Sequence, residues 1–518
     1  MQALKHGGLL VRRPLYVSFV VCVALLAMPA IAAAAGPALP TSDPFYSYSG
    51  ALTALTPGSV LKTRTATFSE AGLSAPISTT QVLYRTTGET GQPTVTVATI
   101  VQPLVPVGPT KLVSYQMAYD GMAAQCDPSY AIQGGTPTEG TNAEEQQLIL
   151  SLAAEGYTVV TSDYEGENLE FVSGQESGYG TLDAIRAAET LLKLPTSTAV
   201  GLIGYSGGSI ATDFAAELAP TYAPKLNIVG AAMGGIPVDL AHNLTYVSGS
   251  ATWGGVMPAA LVGIARGFDI DLSQYLSAYG LQVVNSVKDE CLESSLGQYP
   301  GLTYQKLLKP QYENPFEIPA FVNAINHLIM GTSGTPREPL FIGVGNADGT
   351  GDDVMVAADD EALAHTYCDR GLSVQFSEYQ GDNHETAALA FLPAALTFIE
   401  NRLDGAAVTN GCASIAAGNS LAPLPEPKTS WTLSVTPAHA RVHARTRFTF
   451  TLEMTDGEVT TAYQGATIRF AGHRVKTNKA GRAAVTVALH DNDGTVYRVR
   501  VSVAGHRVVT ATVTVRRR

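Results

Sequence analysis

The sequence predicts an α/β domain built on a mostly parallel sheet, followed by a smaller all-β domain. Apolar β-rich runs alternate with helical patterns from about residue 81 to 410, which is typical of βαβ units. From residue 428 onward, short alternating runs separated by Asp-Gly and Ala-Gly turns indicate an immunoglobulin-like β-sandwich. The charge changes at the same point. Residues 428–518 hold 15 Lys and Arg against 5 Asp and Glu, whereas the whole chain carries a net charge of −13.

The composition excludes several classes of protein. With 518 residues, of which 45% are hydrophobic and 15% charged, the chain can bury a sizeable core and is not intrinsically disordered. The acidic balance argues against a nucleic-acid binder. Five cysteines are present, and no pair has the spacing of a zinc knuckle or of a CxxC redox motif. We therefore expect neither a metal nor a cofactor.

The first 35 residues predict a secretory signal peptide. Lys5, Arg12 and Arg13 precede an apolar run over residues 15–27, and small residues follow over residues 30–35. An uncleaved anchor is the alternative, since residues 15–35 nearly suffice to span a bilayer. Export to an oxidising compartment would let the four cysteines of the mature chain form two disulfides.

The organisation of the mature chain is predicted from its periodicity. Residues 36–420 form the α/β domain, 421–427 a linker with three prolines, and 428–518 the basic β-domain. Residues 238–334 lack a clear strand and are predicted to form an inserted helical cap. The predicted strands are 82–84, 94–101, 111–117, 158–161, 199–203, 228–233, 340–344 and 374–379. The predicted helices between them include 145–154, 182–194 and 210–218.

The strongest local motif is Gly204-Tyr205-Ser206-Gly207-Gly208, which lies between an apolar strand and a helical run. A serine exposed on a sharp strand–turn–helix junction is typical of a nucleophile, because the turn presents its hydroxyl at the end of the sheet. The alternative is an ordinary glycine-rich turn.

Because serine is a weak nucleophile, a histidine base is expected after it in the chain. His327 and His365 lie within helical patterns, and His242 follows Ser206 too soon. His384 follows the last predicted strand, where such a base is expected, and is our candidate.

The acid that orients this base is expected after the strand over residues 340–344. The loop that follows contains Asp348, Asp352 and Asp353, and position alone does not choose among them. Alternating Asp and Gly residues would also fit a plain turn or a weak calcium-binding loop.

With these residues assembled, the chain resembles the secretory lipase family, the α/β-hydrolases related to fungal lipase A. The resemblance covers residues 44–412 and leaves the C-terminal β-domain outside. Besides the serine motif, the matching segments are residues 112–116, Tyr119-Asp120, 162–166, 222–230, Tyr367-Cys368 and the His384 loop.

The resemblance implies an α/β-hydrolase fold and favours Asp352 as the acid, because it lies sixteen residues before Cys368. It also implies an oxyanion hole formed by Asp120 and by the backbone N–H of Gly207. For Asp120 we expect the backbone N–H to act, unless the carboxyl is protonated. The implied disulfides are Cys126–Cys291 and Cys368–Cys412.

These inferences predict a secreted serine ester hydrolase that cleaves acyl esters such as triacylglycerols through an acyl-enzyme. A peptidase or acyltransferase with the same triad, and a non-enzymatic envelope-binding protein, are the alternatives. Cap residues 256–264 and 318–330 either line an acyl tunnel or are ordinary packing. The basic β-domain either contacts an anionic cell wall, phospholipid or polysaccharide or is a spacer.

Overall fold

A nine-stranded sheet organises the larger part of the chain. The computed structural model describes residues 36–70, 73–135, 141–312, 314–426, 429–456, 459–503 and 506–516. The predicted signal peptide, residues 1–35, lies outside the described residues. The strands of the large sheet are β1 (Val60–Glu70), β2 (Leu73–Thr87), β3 (Pro93–Gln102), β4 (Leu112–Gln116), β5 (Thr158–Ser162), β6 (Ala199–Tyr205), β7 (Asn227–Gly234), β8 (Leu340–Asn346) and β9 (Val374–Gln380).

The order of this sheet is β1-β2-β3-β5-β4-β6-β7-β8-β9. The first three strands and β5 pair antiparallel, and every pairing from β5 through β9 is parallel. Seven of the eight predicted strands lie within the observed ones, and the eighth, 111–117, extends one residue beyond β4 at each end. The prediction missed β1 and the first half of β2, because these antiparallel edge segments are rich in threonine, serine and charge and hold no apolar run.

Helices cover both faces of the sheet, as parallel pairing requires. They are α1 (Pro128–Ala131), α2 (Thr141–Ala154), α3 (Gly174–Leu192), α4 (Gly207–Tyr222), α5 (Leu240–Val247), α6 (Val256–Gly267), α7 (Ala278–Val287), α8 (Tyr304–Leu307), α9 (Pro319–His327), α10 (Ala357–Asp369) and α11 (His384–Leu403). Helix α11 was not predicted. It contains Pro393, and apolar residues occur on all of its sides, so it has no clear period of 3.6 residues.

Neighbouring residues of the central strands pack into opposite layers of the core. Leu202 of β6 belongs to the cluster that contains Phe214 of α4, whereas the next residue, Ile203, belongs to the cluster that contains Phe391 of α11. Both strand residues are fully buried. The sheet is therefore buried on both faces, which explains why β6 reads as a continuous apolar run.

Residues 238–334 are helical, with α5 to α9 and short 3₁₀ turns between β7 and β8. A disulfide joins this segment to the loop after β4, because Cys126 and Cys291 are bonded, with their Cα atoms 5.7 Å apart. The second disulfide joins Cys368 at the end of α10 to Cys412. Both pairings are those implied by the family resemblance. No helix in the described part of the chain is long and apolar enough to cross a bilayer.

The C-terminal region is all β and forms two sheets around their own core. Its strands are β10 (Thr429–Thr436), β11 (His439–Arg441), β12 (Arg445–Asp456), β13 (Val459–Ala462), β14 (Thr467–Phe470), β15 (His473–Lys476), β16 (Arg482–Ala488), β17 (Val496–Val503) and β18 (His506–Arg516). One sheet holds β10, β12, β13 and β16, and the other has the order β11-β18-β17-β14-β15. Phe448 and Phe450 of the first sheet share a buried cluster with Val499 and Val501 of the second.

Candidate active site

Ser206 occupies the turn between β6 and α4 in a backbone conformation that L-residues rarely adopt. Its φ is +54° and its ψ is −125°. The flanking glycines make this turn possible, since a Cβ on Gly204 would collide with the Gly208 backbone and one on Gly208 with the Gln116 carbonyl. The strained backbone at Ser206 is therefore caused by the close approach of strand and helix. This conformation points the serine hydroxyl away from the sheet.

His384 lies beside this hydroxyl, with its Nε2 atom 2.8 Å from Ser206 Oγ. It is the first residue of α11 rather than a loop residue as predicted, and Asn383 caps the helix by accepting the Thr386 N–H at 2.9 Å. The Tyr205 hydroxyl donates to the His384 carbonyl at 2.7 Å. Helix start, cap and tyrosine together hold the imidazole, which is buried.

Asp352 completes a chain of hydrogen bonds. Its Oδ2 atom lies 2.7 Å from His384 Nδ1. Its Oδ1 atom accepts the N–H groups of Val354 at 3.1 Å and Met355 at 2.7 Å. The carboxylate is fully buried, and its own backbone carbonyl accepts the His384 N–H at 2.7 Å. Backbone and side chain of Asp352 both fix the histidine.

The two other candidate acids lie elsewhere in the same loop. Asp348 is exposed and its carboxylate accepts the N–H of Thr350 at 2.7 Å, while Asp353 is exposed with a φ of +83°. Neither forms a hydrogen bond to His384 in the structure. Among the described residues there is no group of three or more His, Cys, Asp or Glu side chains placed to hold a metal ion.

The pKa of His384 is raised above its ordinary value of 6.5. Burial of the imidazole lowers it, but the negative charge and hydrogen bond of Asp352 outweigh burial, with a smaller contribution from Asp120. The protonated imidazole is thus stabilised by a partner held in place. A histidine that acts as a general base is made more effective by such stabilisation, because its imidazole becomes an imidazolium during the reaction.

Asp120 lies across the site from His384, next to the start of α4. Its carboxyl packs against the Cα of Gly207, where any Cβ would overlap Asp120 Oδ1. The Oδ1 atom is buried and has no hydrogen-bond partner within the described structure. Burial raises the pKa of Asp120 to about 7, against the lowering influence of His384. The residue has a φ of +38°.

Two buried carboxyl groups hold the loop that carries Asp120. Glu145 accepts the Ala118 N–H at 3.0 Å on one side, and Glu165 accepts the Gly121 N–H at 3.0 Å on the other. Burial raises the pKa of both carboxyl groups, that of Glu145 to about 8. Neither glutamate was among the predicted site residues. Buried acids in apolar surroundings are a signal only once burial is known.

A cavity of about 590 Å³ opens over Ser206. Its wall is mainly apolar and draws on α5, α6 and the 3₁₀ turns of residues 238–334. The apolar residues that line it include Phe171, Val172, Ile210, Leu240, Leu244, Val247, Trp253, Val256, Ala260, Leu292, Leu296, Val354, Met355, Leu389 and Leu392. Trp253 meets the His384 ring edge-on, with centroids 5.4 Å apart.

The two segments for which lining and packing were both expected differ in their relation to this cavity. Val256 and Ala260, from the predicted segment 256–264, line it. No residue of 318–330 does; several of them line a separate surface cavity that contains Glu89 and His327. The apolar period of α9 reflects packing, because its apolar face lies in the core of the α/β region.

The other three candidate histidines each pair with a different acid. His242 Nδ1 lies 3.0 Å from Asp359 Oδ2, and His327 and His365 lie near Glu89 and Asp369. None of the three has a hydrogen bond to Ser206 within the described structure. The structure therefore brings together Ser206, His384, Asp352, Asp120 and Gly207 from the predicted set.

The sheet order, the strand–turn–helix at Ser206 and the helical segment between β7 and β8 define an α/β-hydrolase. The family model described as secretory lipase matches residues 134–411. This chain belongs to the secretory lipase family.

Its relatives are named as lipases. Lipase 5 of Candida albicans is 32% identical over 76% of this chain and 87% of its own length. A probable inactive lipase of Mycobacterium tuberculosis is 31% identical over 72% and 84%. The crystal structure of Candida antarctica lipase A in its closed state is similar with a TM-score of 0.69 and 28% identity, over 76% of this chain and 93% of that one. The chain is a lipase-like ester hydrolase.

The electrostatics of the site yield a first prediction. We expect Asp352→Asn to lower the pKa of His384, because the charge that raises it is lost while the burial that lowers it remains. NMR titration of the histidine ring signals measures the change. Asp348→Asn, in the same loop but without contact to His384, is the matched control. An unchanged His384 pKa in the Asp352 variant would contradict the electrostatic role given to this carboxylate.

Proposed function

We propose that the protein hydrolyses carboxylic esters with Ser206 as nucleophile, His384 as general base and Asp352 as the group that orients the base. The observation that carries the proposal is the continuous hydrogen-bond chain from Asp352 Oδ2 through the imidazole to Ser206 Oγ, at 2.7 and 2.8 Å. Family membership alone is weaker support, because one relative is named a probable inactive lipase.

The first chemical step follows from this geometry. His384 Nε2 takes the Ser206 proton as Oγ attacks the ester carbonyl, and Asp352 stabilises the imidazolium that forms. The imidazolium then gives its proton to the leaving alkoxide. Water, activated by the same imidazole, releases the acid from the acyl-enzyme.

The oxyanion of each tetrahedral intermediate needs donors aimed at it. Gly207 is the first residue of α4, so its N–H has no partner within the helix. The Asp120 carboxyl packs against the same residue and, with a pKa of about 7, holds a proton below that pH. A protonated carboxyl donates an O–H, which the unpaired Oδ1 atom makes available.

The apolar lining of the cavity favours acyl chains over peptide substrates. Aliphatic and aromatic side chains form most of the wall, and the acidic and histidine side chains that line it are Asp120, Glu144, Glu145, Glu293, His384 and Glu385. We propose acyl esters such as triacylglycerols as substrates. Comparing turnover of ester, amide and alcohol-acceptor substrates distinguishes hydrolysis from the peptidase and acyltransferase alternatives.

We further propose that residues 428–518 form an immunoglobulin-like sandwich. In support, β11 pairs parallel with the last strand β18, and the rest of that sheet continues β17, β14, β15. This order resembles that of the GFCC′ strands in a variable-type domain, with the first strand divided between the two sheets. A crystal structure of this region with another strand order would overturn it.

Catalysis by the serine is tested with Ser206→Ala and His384→Ala. We expect each to reduce kcat for a p-nitrophenyl ester by at least about 10⁴-fold, because nucleophile and base act as one unit. His242→Ala is the matched control, since His242 also pairs with a buried aspartate but lies outside the site. Full activity in the Ser206 variant, or equal losses in both histidine variants, would refute the assignment.

Asp120 gives a prediction about pH. We expect kcat/KM to fall as pH rises through about 7, because ionisation removes the donor and places a negative charge beside the oxyanion. In Asp120→Asn the amide donates at every pH, so this decline disappears. Asp120→Ala distinguishes a side-chain donor from a backbone donor. A decrease in kcat of about 10²–10³-fold indicates that the carboxyl binds the oxyanion, and an unchanged kcat indicates that the backbone N–H does.

Secretion is proposed from residues 1–35 and is consistent with two disulfides, which persist in oxidising compartments. We expect the protein recovered from the culture medium of an expressing cell to begin near Gly36. N-terminal sequencing measures this. A chain that starts at Met1 and stays with the membrane fraction would favour the uncleaved anchor instead.

A further inference from the structure

The second sheet of the C-terminal region, β11-β18-β17-β14-β15, packs on the core with one face, and its other face points outward. Strand residues alternate between the two faces, and Ile468, Phe470, Val499, Val501 and Val513 are the buried set. The residues between them point to the opposite side. This outward side spans roughly 20 Å across five strands.

Basic side chains occupy this outward side on every strand. We define the basic face by its seven exposed cations: Arg441, Arg469, Arg474, Lys476, Arg498, Arg500 and Arg516. Arg474 is directly opposite Arg469, which is in turn opposite Arg500, so three arginines form a row across neighbouring strands. Arg441 and Arg516 form a similar pair at the edge of the sheet.

The arrangement is costly for the isolated protein. Like charges on directly opposed positions of neighbouring strands destabilise a sheet. Within the described structure, no ion pair joins any of the seven to an acid. The other outward positions of these strands hold Thr, Ser, Val and His, and none holds Asp or Glu. A row of unneutralised cations is what a surface with many negative charges would stabilise.

The shape and composition of the face distinguish among anionic partners. It is the open face of a five-stranded sheet, whereas a single polyanionic chain is usually held in a groove. Its described outward positions carry no Trp, Tyr or Phe on which bases could stack. A broad planar array of phosphates fits better. The choice of a lipid surface rests on the proposed function, since acyl-ester substrates reside there.

We propose that the basic face docks the protein on the negatively charged phospholipid surface of a bilayer. Each Lys or Arg near such a surface contributes about fivefold in affinity, so three neighbouring arginines contribute about a hundredfold together. The attraction acts within one Debye length, about 10 Å at 0.1 M salt, and weakens as salt rises.

The test uses the full-length mature chain with Ser206→Ala, so that binding is measured without hydrolysis. Cosedimentation with phosphatidylcholine vesicles, with and without phosphatidylglycerol, compares two triple variants. The first, Arg469→Gln/Arg474→Gln/Arg500→Gln, removes the central row of the basic face. The second, Arg445→Gln/Arg447→Gln/Arg482→Gln, removes the same charge from exposed positions of the opposite sheet.

We expect phosphatidylglycerol-dependent binding to fall about a hundredfold in the first variant and less than about fivefold in the second. Equal losses in both would show attraction by net charge alone and overturn the proposal. The proposal is also wrong if neither variant weakens binding to the vesicles. A third contradicting result is that the chain does not bind vesicles and the first variant instead loses binding to DNA or to an anionic polysaccharide.

Two measurements keep the result interpretable. Unchanged melting temperatures show that both variants fold. Hydrolysis of a water-soluble ester, measured with serine restored, is expected to be unchanged, because these arginines lie outside the catalytic site. Loss of vesicle binding with retained hydrolysis supports the basic face. Absence of hydrolysis in the unsubstituted protein would refute the proposed function and leave the binding result intact.

Discussion

The backbone turn at Ser206 is the constraint on which the rest of the site depends. A residue with a φ of +54° between a strand and a helix brings the two elements so close that Gly204 and Gly208 have no room for a side chain. In return, the turn lifts Oγ above the sheet and leaves the Gly207 N–H at the helix start without an internal partner. One strained residue thereby sets the positions of both the proposed nucleophile and a proposed oxyanion donor.

The second half of the site, the loop around Asp120, is held by buried acids and by a disulfide. Glu145 and Glu165 accept the backbone N–H groups on either side of Asp120, and the Cys126–Cys291 disulfide joins the end of that loop to the helical segment of residues 238–334. Burial raises the pKa of both glutamates and of Asp120. The raised pKa of Asp120 thus has the same cause as those of the two glutamates that hold its loop, namely burial of the carboxyl groups.

The sequence predicted those parts of the structure that local patterns encode. The eight predicted strands follow from apolar runs, the serine turn from its glycines, and His384 from its place after the last strand. Asp352 could not be separated from Asp348 and Asp353 by position, because the distinction is made by burial and by two backbone N–H groups that appear only when the loop folds. Helix α11 has no amphipathic period, so its capped start at His384 was likewise beyond local patterns.

The opposite charges of the two regions are compatible with docking on an anionic surface. The formal count treats every acid as ionised, yet several acids of the α/β region are buried with raised pKa values, including Glu89, Asp120 and Asp163 at about 7 and Glu145 at about 8. The α/β region is thus less negative near neutral pH than its composition suggests. Screening limits the remaining repulsion to about 10 Å at 0.1 M salt. The arginine row of the second C-terminal sheet can then act by proximity to a surface, even though the net charge of the whole chain is negative.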